Sequence, residues 1–297
     1  MALFFLYDDR RSERNIRKKG SHKLILSLIL FVAVPQSNLW LQEVAFMESV
    51  LIAKDLCKTF SNDRVQQHVL KNLNISIHPG DFAVIMGNSG SGKSTLLYAL
   101  SGMDRPTLGS VGVNGEEISR YSNDKLAVFR RKNCGFVFQQ NFLNDTMSVM
   151  ENMMVNGLLV SKDRKAIAER AKELLNRSGL TEEVYNKYPT QLSGGEAQRV
   201  ALVRGIINNP TILFADEPTG ALNSTNTANV LDILTSLNES GQTIIMVTHD
   251  MKAARRGNRV LYLKDGVILD EADLGNYVSE DENRHEKLRS FLIEMGW

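Results

Sequence analysis

Gly87-Asn88-Ser89-Gly90-Ser91-Gly92-Lys93-Ser94-Thr95 stands between two apolar runs, Phe82-Ala83-Val84-Ile85-Met86 before it and Leu96-Leu97-Tyr98-Ala99-Leu100 after it, and Gly102 closes the second. The first run has the length and branching of a buried strand. The second reads as the first turns of a helix. Strand, glycine-rich turn and helix in that order give the G-x-x-x-x-G-K-[ST] phosphate loop. Gly87, Gly90 and Gly92 let the backbone take positive φ and come close to an anion. Successive N–H groups then form a concave nest, to which the helix N-terminus adds partial positive charge. Lys93 is placed to reach the β- and γ-phosphates and the Ser94 hydroxyl to ligate Mg²⁺. Asn88, Ser89, Ser91 and Thr95 complete the expected binding set for a nucleoside triphosphate.

A chain of 297 residues holds one large or two modest domains. Its 35 basic residues nearly balance 34 acidic ones, so nothing points to bulk binding of nucleic acid. Only two cysteines, Cys57 and Cys134, argue against a disulfide framework, and a reducing, cytosolic setting fits better. Both lie in apolar, strand-like runs, where small buried packing residues are expected.

Residues 1–46 differ from the rest. Arg10, Arg11, Arg14, Arg17, Lys18, Lys19 and Lys23 precede an apolar run at 24–34 that Pro35 stops. That run falls well below the ~20 residues that span a bilayer. It matches the basic and apolar regions of a secretory signal, although export would carry an ATP-dependent domain away from its ATP. Three readings stand: an upstream extension foreign to the native protein, a membrane-surface anchor, or a true signal. The first is the expectation, with the start at Met47, just before a strand-like run at 49–53.

Two or three short strands are expected between residues 50 and 77, broken by Ser61-Asn62-Asp63-Arg64. Phe60, after Lys58-Thr59, reads as an exposed aromatic able to stack on a purine base, a contact worth ~1–3 kcal/mol. Strand-end packing is the plainer alternative for it. Further strands are expected at 110–113 and 134–138, then a helical tract over about 147–188. Within that tract Ile167, Ala171, Leu174 and Leu175 form an apolar stripe opposed by Lys165, Glu169, Lys172 and Glu173. Strands at 211–215, 243–247 and 259–263, alternating with helices, mark a parallel α/β sheet.

Leu192-Ser193-Gly194-Gly195-Glu196 opens a helix with Ala197, Val200, Ala201 and Ile207 on its apolar side. Downstream, Ile212-Leu213-Phe214-Ala215-Asp216-Glu217 is an apolar strand ending in two carboxylates, and His249 follows the apolar strand at 243–247. Together with the phosphate loop and Gln139 after Phe138, these elements have the order and spacing of the ATP-binding cassette (ABC) ATPases, which the chain resembles over essentially residues 48–271. The resemblance implies an α/β, P-loop NTPase fold of the ABC type. Its parts are a RecA-like parallel sheet core, an N-terminal antiparallel β subdomain, and a helical subdomain inserted at about 140–190. The cassette is expected at 47–271 and a helical tail at 272–297, with Leu288, Leu292 and Met295 near one face of an amphipathic helix.

The same resemblance implies roles. Asp216, at the tip of a buried strand, needs a cation partner and is expected to hold Mg²⁺ through water, with Ser94 and Gln139. Glu217 polarises the attacking water as general base. His249 contacts the γ-phosphate and helps order that water. Gln139, a long neutral side chain that both donates and accepts, also relays contact to a membrane partner. Ser193, the N–H groups of Gly194 and Gly195, and Glu196 (where Gln is commoner) face the ATP of a second copy, so that two chains sandwich two nucleotides. Asn223 stands where Asp is usual; it can still cap a helix at 224–239, but the missing charge is expected to weaken communication between the two sites.

No segment between 47 and 297 is long and apolar enough to span a membrane. The expected partners are therefore a separate transmembrane permease subunit, docked near 139–155, and a second copy of the chain, with no nucleic acid. The resemblance places the cassette in the cytoplasm, peripheral on the cytoplasmic face of the plasma membrane. The runs at 191–201 and 216–222 look most like the macrolide-export, lipoprotein-release and antimicrobial-peptide-resistance branch, which implies export of, or resistance to, peptide- or lipid-type substrates. A cell-division-type cassette that signals through a permease-like partner is the alternative. Soluble translation and repair cassettes are disfavoured, because they carry paired cassettes or long coiled-coil insertions.

Overall fold

The computed structural model describes residues 49–62, 65–279 and 281–297; the expected extension at 1–46 and the start at Met47 lie outside them. In chain order the elements are β1 (Leu51–Asn62), β2 (Val65–Ile77), β3 (Phe82–Met86), α1 (Lys93–Leu100), β4 (Leu108–Val113), β5 (Glu116–Glu117), α2 (Asn123–Asn133) and β6 (Cys134–Phe138). Then follow α3 (Val149–Leu158), α4 (Arg164–Arg177), α5 (Gly194–Ile206), β7 (Ile212–Asp216), α6 (Ser224–Glu239), β8 (Thr243–Val247), α7 (Met251–Ala254), β9 (Arg259–Lys264), β10 (Val267–Asp273) and α8 (Glu282–Glu294).

Two sheets organise these elements. The first has the order β2-β1-β4-β5 and is antiparallel throughout. Where two or three short strands are expected, β1 and β2 are single long strands of 12 and 13 residues. Ser61 and Asn62 stay paired with Gln66 and Val65, so the start of the polar stretch belongs to the strand instead of breaking it. The second sheet has the order β10-β9-β3-β8-β7-β6, parallel except for the antiparallel edge strand β10. Strands β3, β7 and β8 are buried at every position, as expected of parallel strands covered on both faces.

Alternation along β3 divides the core. Phe82, Val84 and Met86 face a cluster completed by α3 to α8, whereas Ala83 and Ile85 face the β subdomain with α1 and α2. The α4 stripe of Ile167, Ala171, Leu174 and Leu175 is buried as expected. Both cysteines are half-buried, not buried. The Cys134 thiol is nonetheless desolvated enough that burial pushes it up to about 12.

The tail helix α8 buries Leu288, Phe291 and Leu292, and Met295 packs beside them. Arg284, on the same helix, is 3% exposed and, among the described residues, forms no salt bridge. Its guanidinium donates to the carbonyls of Arg255, Gly257, Leu274, Gly275 and Asn276. One side chain thus ties α8 to the segment that follows α7.

Sheet order also places the chemistry. Because β8 lies between β3 and β7, with Ile85 opposite Val247 and Val247 opposite Asp216, the glycine loop, the carboxylate pair and His249 emerge side by side. All three leave the carboxyl edge of the sheet, where open α/β folds bind their ligands.

Candidate active site

Gly87, Gly90 and Gly92 have φ of 152°, 79° and 102°, the positive values expected of them. At Gly87 only glycine fits, since a Cβ there would lie 2.0 Å from the Leu263 carbonyl oxygen on β9. Asn88, Ser89 and Gly90 are exposed at the loop tip, and Ser94 and Thr95 are half-buried in the first turn of α1. Lys93 is 7% exposed and folds back over its own loop, donating to the carbonyls of Gly87 and Asn88 at 2.9 Å each. Burial lowers its pKa, while the charges of Glu217 and Asp216 oppose that shift. Among the described residues the buried Ser91 hydroxyl has no hydrogen-bond partner. An orphaned polar atom, a buried cation and a glycine nest together fit a polyphosphate.

Asp216 ends β7 and is 9% exposed. Its Oδ1 accepts from the Ser94 hydroxyl (2.9 Å) and its Oδ2 from the Tyr98 hydroxyl (2.8 Å). A hard, half-satisfied carboxylate beside a serine hydroxyl is an oxygen donor set of the kind Mg²⁺ takes. In the sequence Tyr98 is one residue of the apolar helix run, and nothing there marks its hydroxyl. Burial, then the bond to Asp216, pushes its hydroxyl up to about 12.

Glu217 follows in the left-handed region, with φ of 46°. Its N–H donates to the Val247 carbonyl and its own carbonyl accepts from Gly220, both at 3.0 Å, so a tight turn holds it. Its Oε1 lies 3.0 Å from Nδ1 of His249. The His249 side chain is 62% exposed against 22% for Glu217. A carboxylate with an imidazole at hydrogen-bond distance, on the open rim of the loop, can take a proton from water and hold the resulting geometry. His249 also lines a cavity of about 490 Å³ together with Lys252, Arg255, His285 and Trp297.

Gln139, just past β6, is exposed and lies against Gly220, where a Cβ would come within 3.0 Å of its Nε2. Behind it stands Gln198, unforeseen from sequence. This α5 residue is 3% exposed, and its Nε2 donates to the carbonyls of Phe138 (2.7 Å) and Pro218 (2.8 Å). One amide thus joins the segment before Gln139 to the turn after Glu217. Its signal was a polar residue set among Ala197, Val200 and Ala201 on the apolar side of the helix.

Ser193 caps α5 in a reciprocal box. Its hydroxyl accepts from the Glu196 N–H (3.3 Å) while Glu196 Oε2 accepts from the Ser193 N–H (2.8 Å) and hydroxyl (2.7 Å). Those bonds, the hydroxyl's first, hold the Glu196 carboxyl below its ordinary range. Gly194 has open space where a Cβ would stand, whereas at Gly195 one would meet the Asn226 side chain at 2.2 Å. Among the described residues no hydrogen bond joins 193–196 to the loop at 87–95 or to the Glu217–His249 pair. Phe60 is 45% exposed, with Lys58 Nζ 4.9 Å from its ring centroid. Asn223 caps α6 through its side chain, accepting from the Asn226 N–H at 3.0 Å.

The family model described as ABC transporter matches residues 70–220. The bacitracin export ATP-binding protein BceA of Halalkalibacterium halodurans is 39% identical over 249 residues, 84% of this chain and 96% of that protein. The lipoprotein-releasing system ATP-binding protein LolD of Aquifex aeolicus is 42% identical over 226 residues, 76% and 98% respectively. Among solved structures, the dimeric post-hydrolysis state of the ATP-binding cassette MJ0796 bound to ADP and Pi superposes with a TM-score of 0.71 at 38% identity. That match covers 76% of this chain and 100% of that one.

Proposed function

The chain belongs to the ABC transporter family and is one of its ATPases, and from that premise we propose that it powers a separate membrane permease of the peptide- or lipid-exporting branch. The observation that carries the catalytic half is the Glu217–His249 pair, 3.0 Å apart on the rim of the Lys93 loop. Kinship with proteins named for bacitracin export and lipoprotein release supports the export half.

In this reading Lys93 exchanges its bonds to Gly87 and Asn88 for the β- and γ-phosphate oxygens of ATP, and the Ser91 hydroxyl gains the partner it lacks. Phe60 stacks on the base. Ser94, Asp216 and Gln139 hold Mg²⁺, which when bound neutralises charge on the β- and γ-phosphates. Glu217 accepts a proton from the attacking water, and His249 keeps that carboxylate aimed and contacts the γ-phosphate.

The stretch from Ser193 to Glu196 serves the nucleotide of a second copy, in keeping with its lack of any bond to the loop of its own chain. No described helix is long and apolar enough to cross a membrane. The permease docks from outside, along the stretch at 139–155, where Phe142 and Val155 are exposed. Its cassette works at the cytoplasmic face of the membrane.

Light scattering of the Glu217→Gln variant tests the composite site. Mg-ATP is expected to convert monomer to dimer; a monomer that retains bound ATP overturns it.

A further inference from the structure

We propose that Tyr98 is a positioning residue for Asp216, its hydroxyl holding the carboxylate in the one orientation that receives a divalent cation. The proposal rests on the metal-holding assignment of Asp216 made above. Ser94 and Tyr98 stand four residues apart on α1, one helical turn, and so share a face. That face presents two hydroxyls to one carboxylate, Ser94 to Oδ1 at 2.9 Å and Tyr98 to Oδ2 at 2.8 Å. Two anchors on different oxygens fix both the position and the plane of the carboxyl group. With Ser94 alone, the group turns about its own bond.

The anchor is itself held. The Tyr98 carbonyl accepts from the N–H groups of Met103 and Asp104 and from the Ser101 hydroxyl. Its ring packs on the core between the two sheets. An ionised carboxylate accepts at about four lone-pair positions, so two remain free after both hydroxyls have bound. They are the ones a cation or its waters reach. Nothing in the phosphate-loop motif demands a tyrosine here, because the motif ends at Ser94 and Thr95.

Tyr98→Phe keeps the ring and removes one anchor. Binding of the non-hydrolysable analogue AMP-PNP to the full chain, across a Mg²⁺ titration and in EDTA, reads the effect. The half-saturating Mg²⁺ concentration is expected to rise about tenfold, the usual effect of removing a metal ligand's outer partner. Binding in EDTA is expected to stay unchanged, which also reports an intact loop. Placed on Asp216→Asn, the same change should add less than about twofold, since the two act through one carboxylate.

A matching loss in EDTA overturns the proposal, because Tyr98 would then support the loop as a whole. A Mg²⁺ shift in Asp216→Asn but none in Tyr98→Phe also overturns it and leaves the Asp216 assignment standing. No shift in either removes that assignment and the proposal with it.

Discussion

At Glu217 backbone and side chain make opposed demands. A φ of 46° costs a non-glycine residue about 1–3 kcal/mol, yet glycine would remove the carboxylate that meets His249. Glu217→Gln keeps the turn and removes only the proton acceptor. It is expected to slow single-turnover hydrolysis by about 10²–10⁴-fold with ATP binding retained. Gly87→Ala is the converse case. A methyl group 2.0 Å from a backbone oxygen cannot be absorbed by a rotamer change, so equilibrium dialysis should find ATP binding lost.

Cys134 gives a pH test. Burial raises its thiol from 9.0 to about 12, so the folded state keeps a proton that the unfolded state releases. That contribution is whole below pH 9 and is lost as pH rises toward 12. Urea midpoints of Cys134→Ala should therefore fall less steeply than those of the native chain across that window. At this scale the glycine angles were legible, because the phosphate loop is local and its chemistry dictates its backbone. Tyr98 and Gln198 were not, because their partners lie 118 and 60 residues away and only folding joins them.

Among the elements, β3, β7 and β8 announce themselves as unbroken apolar runs, and α4 by its stripe. The length of β1 and β2 is hidden in the sequence for a physical reason. From Gln66 to His68 β2 is exposed at every position, as are Phe60 and Ser61 opposite; with no buried face there is no alternation to read. Helix contacts are equally silent. Gly157 on α3 lets Ile167 approach so closely that a Cβ would meet its Cγ2 at 2.3 Å. Gly157→Ala is expected to destabilise the fold by about 1–3 kcal/mol in urea melts, the usual effect of overpacking. Arg284 looks like any charged residue on a tail helix until its five carbonyl partners are seen. Arg284→Ala, which strands those acceptors, is expected to lower stability by about 3 kcal/mol.

For the whole molecule the telling arrangement is a separation. Among the described residues no hydrogen bond joins the phosphate loop to the Ser193–Glu196 cap, in keeping with the proposal that the cap serves a second copy. Asn223 bears on the coupling proposed between two copies. It already caps α6, and Asp would cap it equally while adding a charge. Asn223→Asp is expected to raise the Hill coefficient of ATP hydrolysis, which rate measurements over an ATP series would read.

Trp297 shares a cavity wall with His249, and the sequence holds just one other tryptophan, Trp40. An indole lining the same cavity as the imidazole is a built-in optical gauge. When binding reshapes this cavity wall, the emission of Trp297 has reason to change. Substituting Trp40 would leave a chain whose own fluorescence follows its working cycle without any added label.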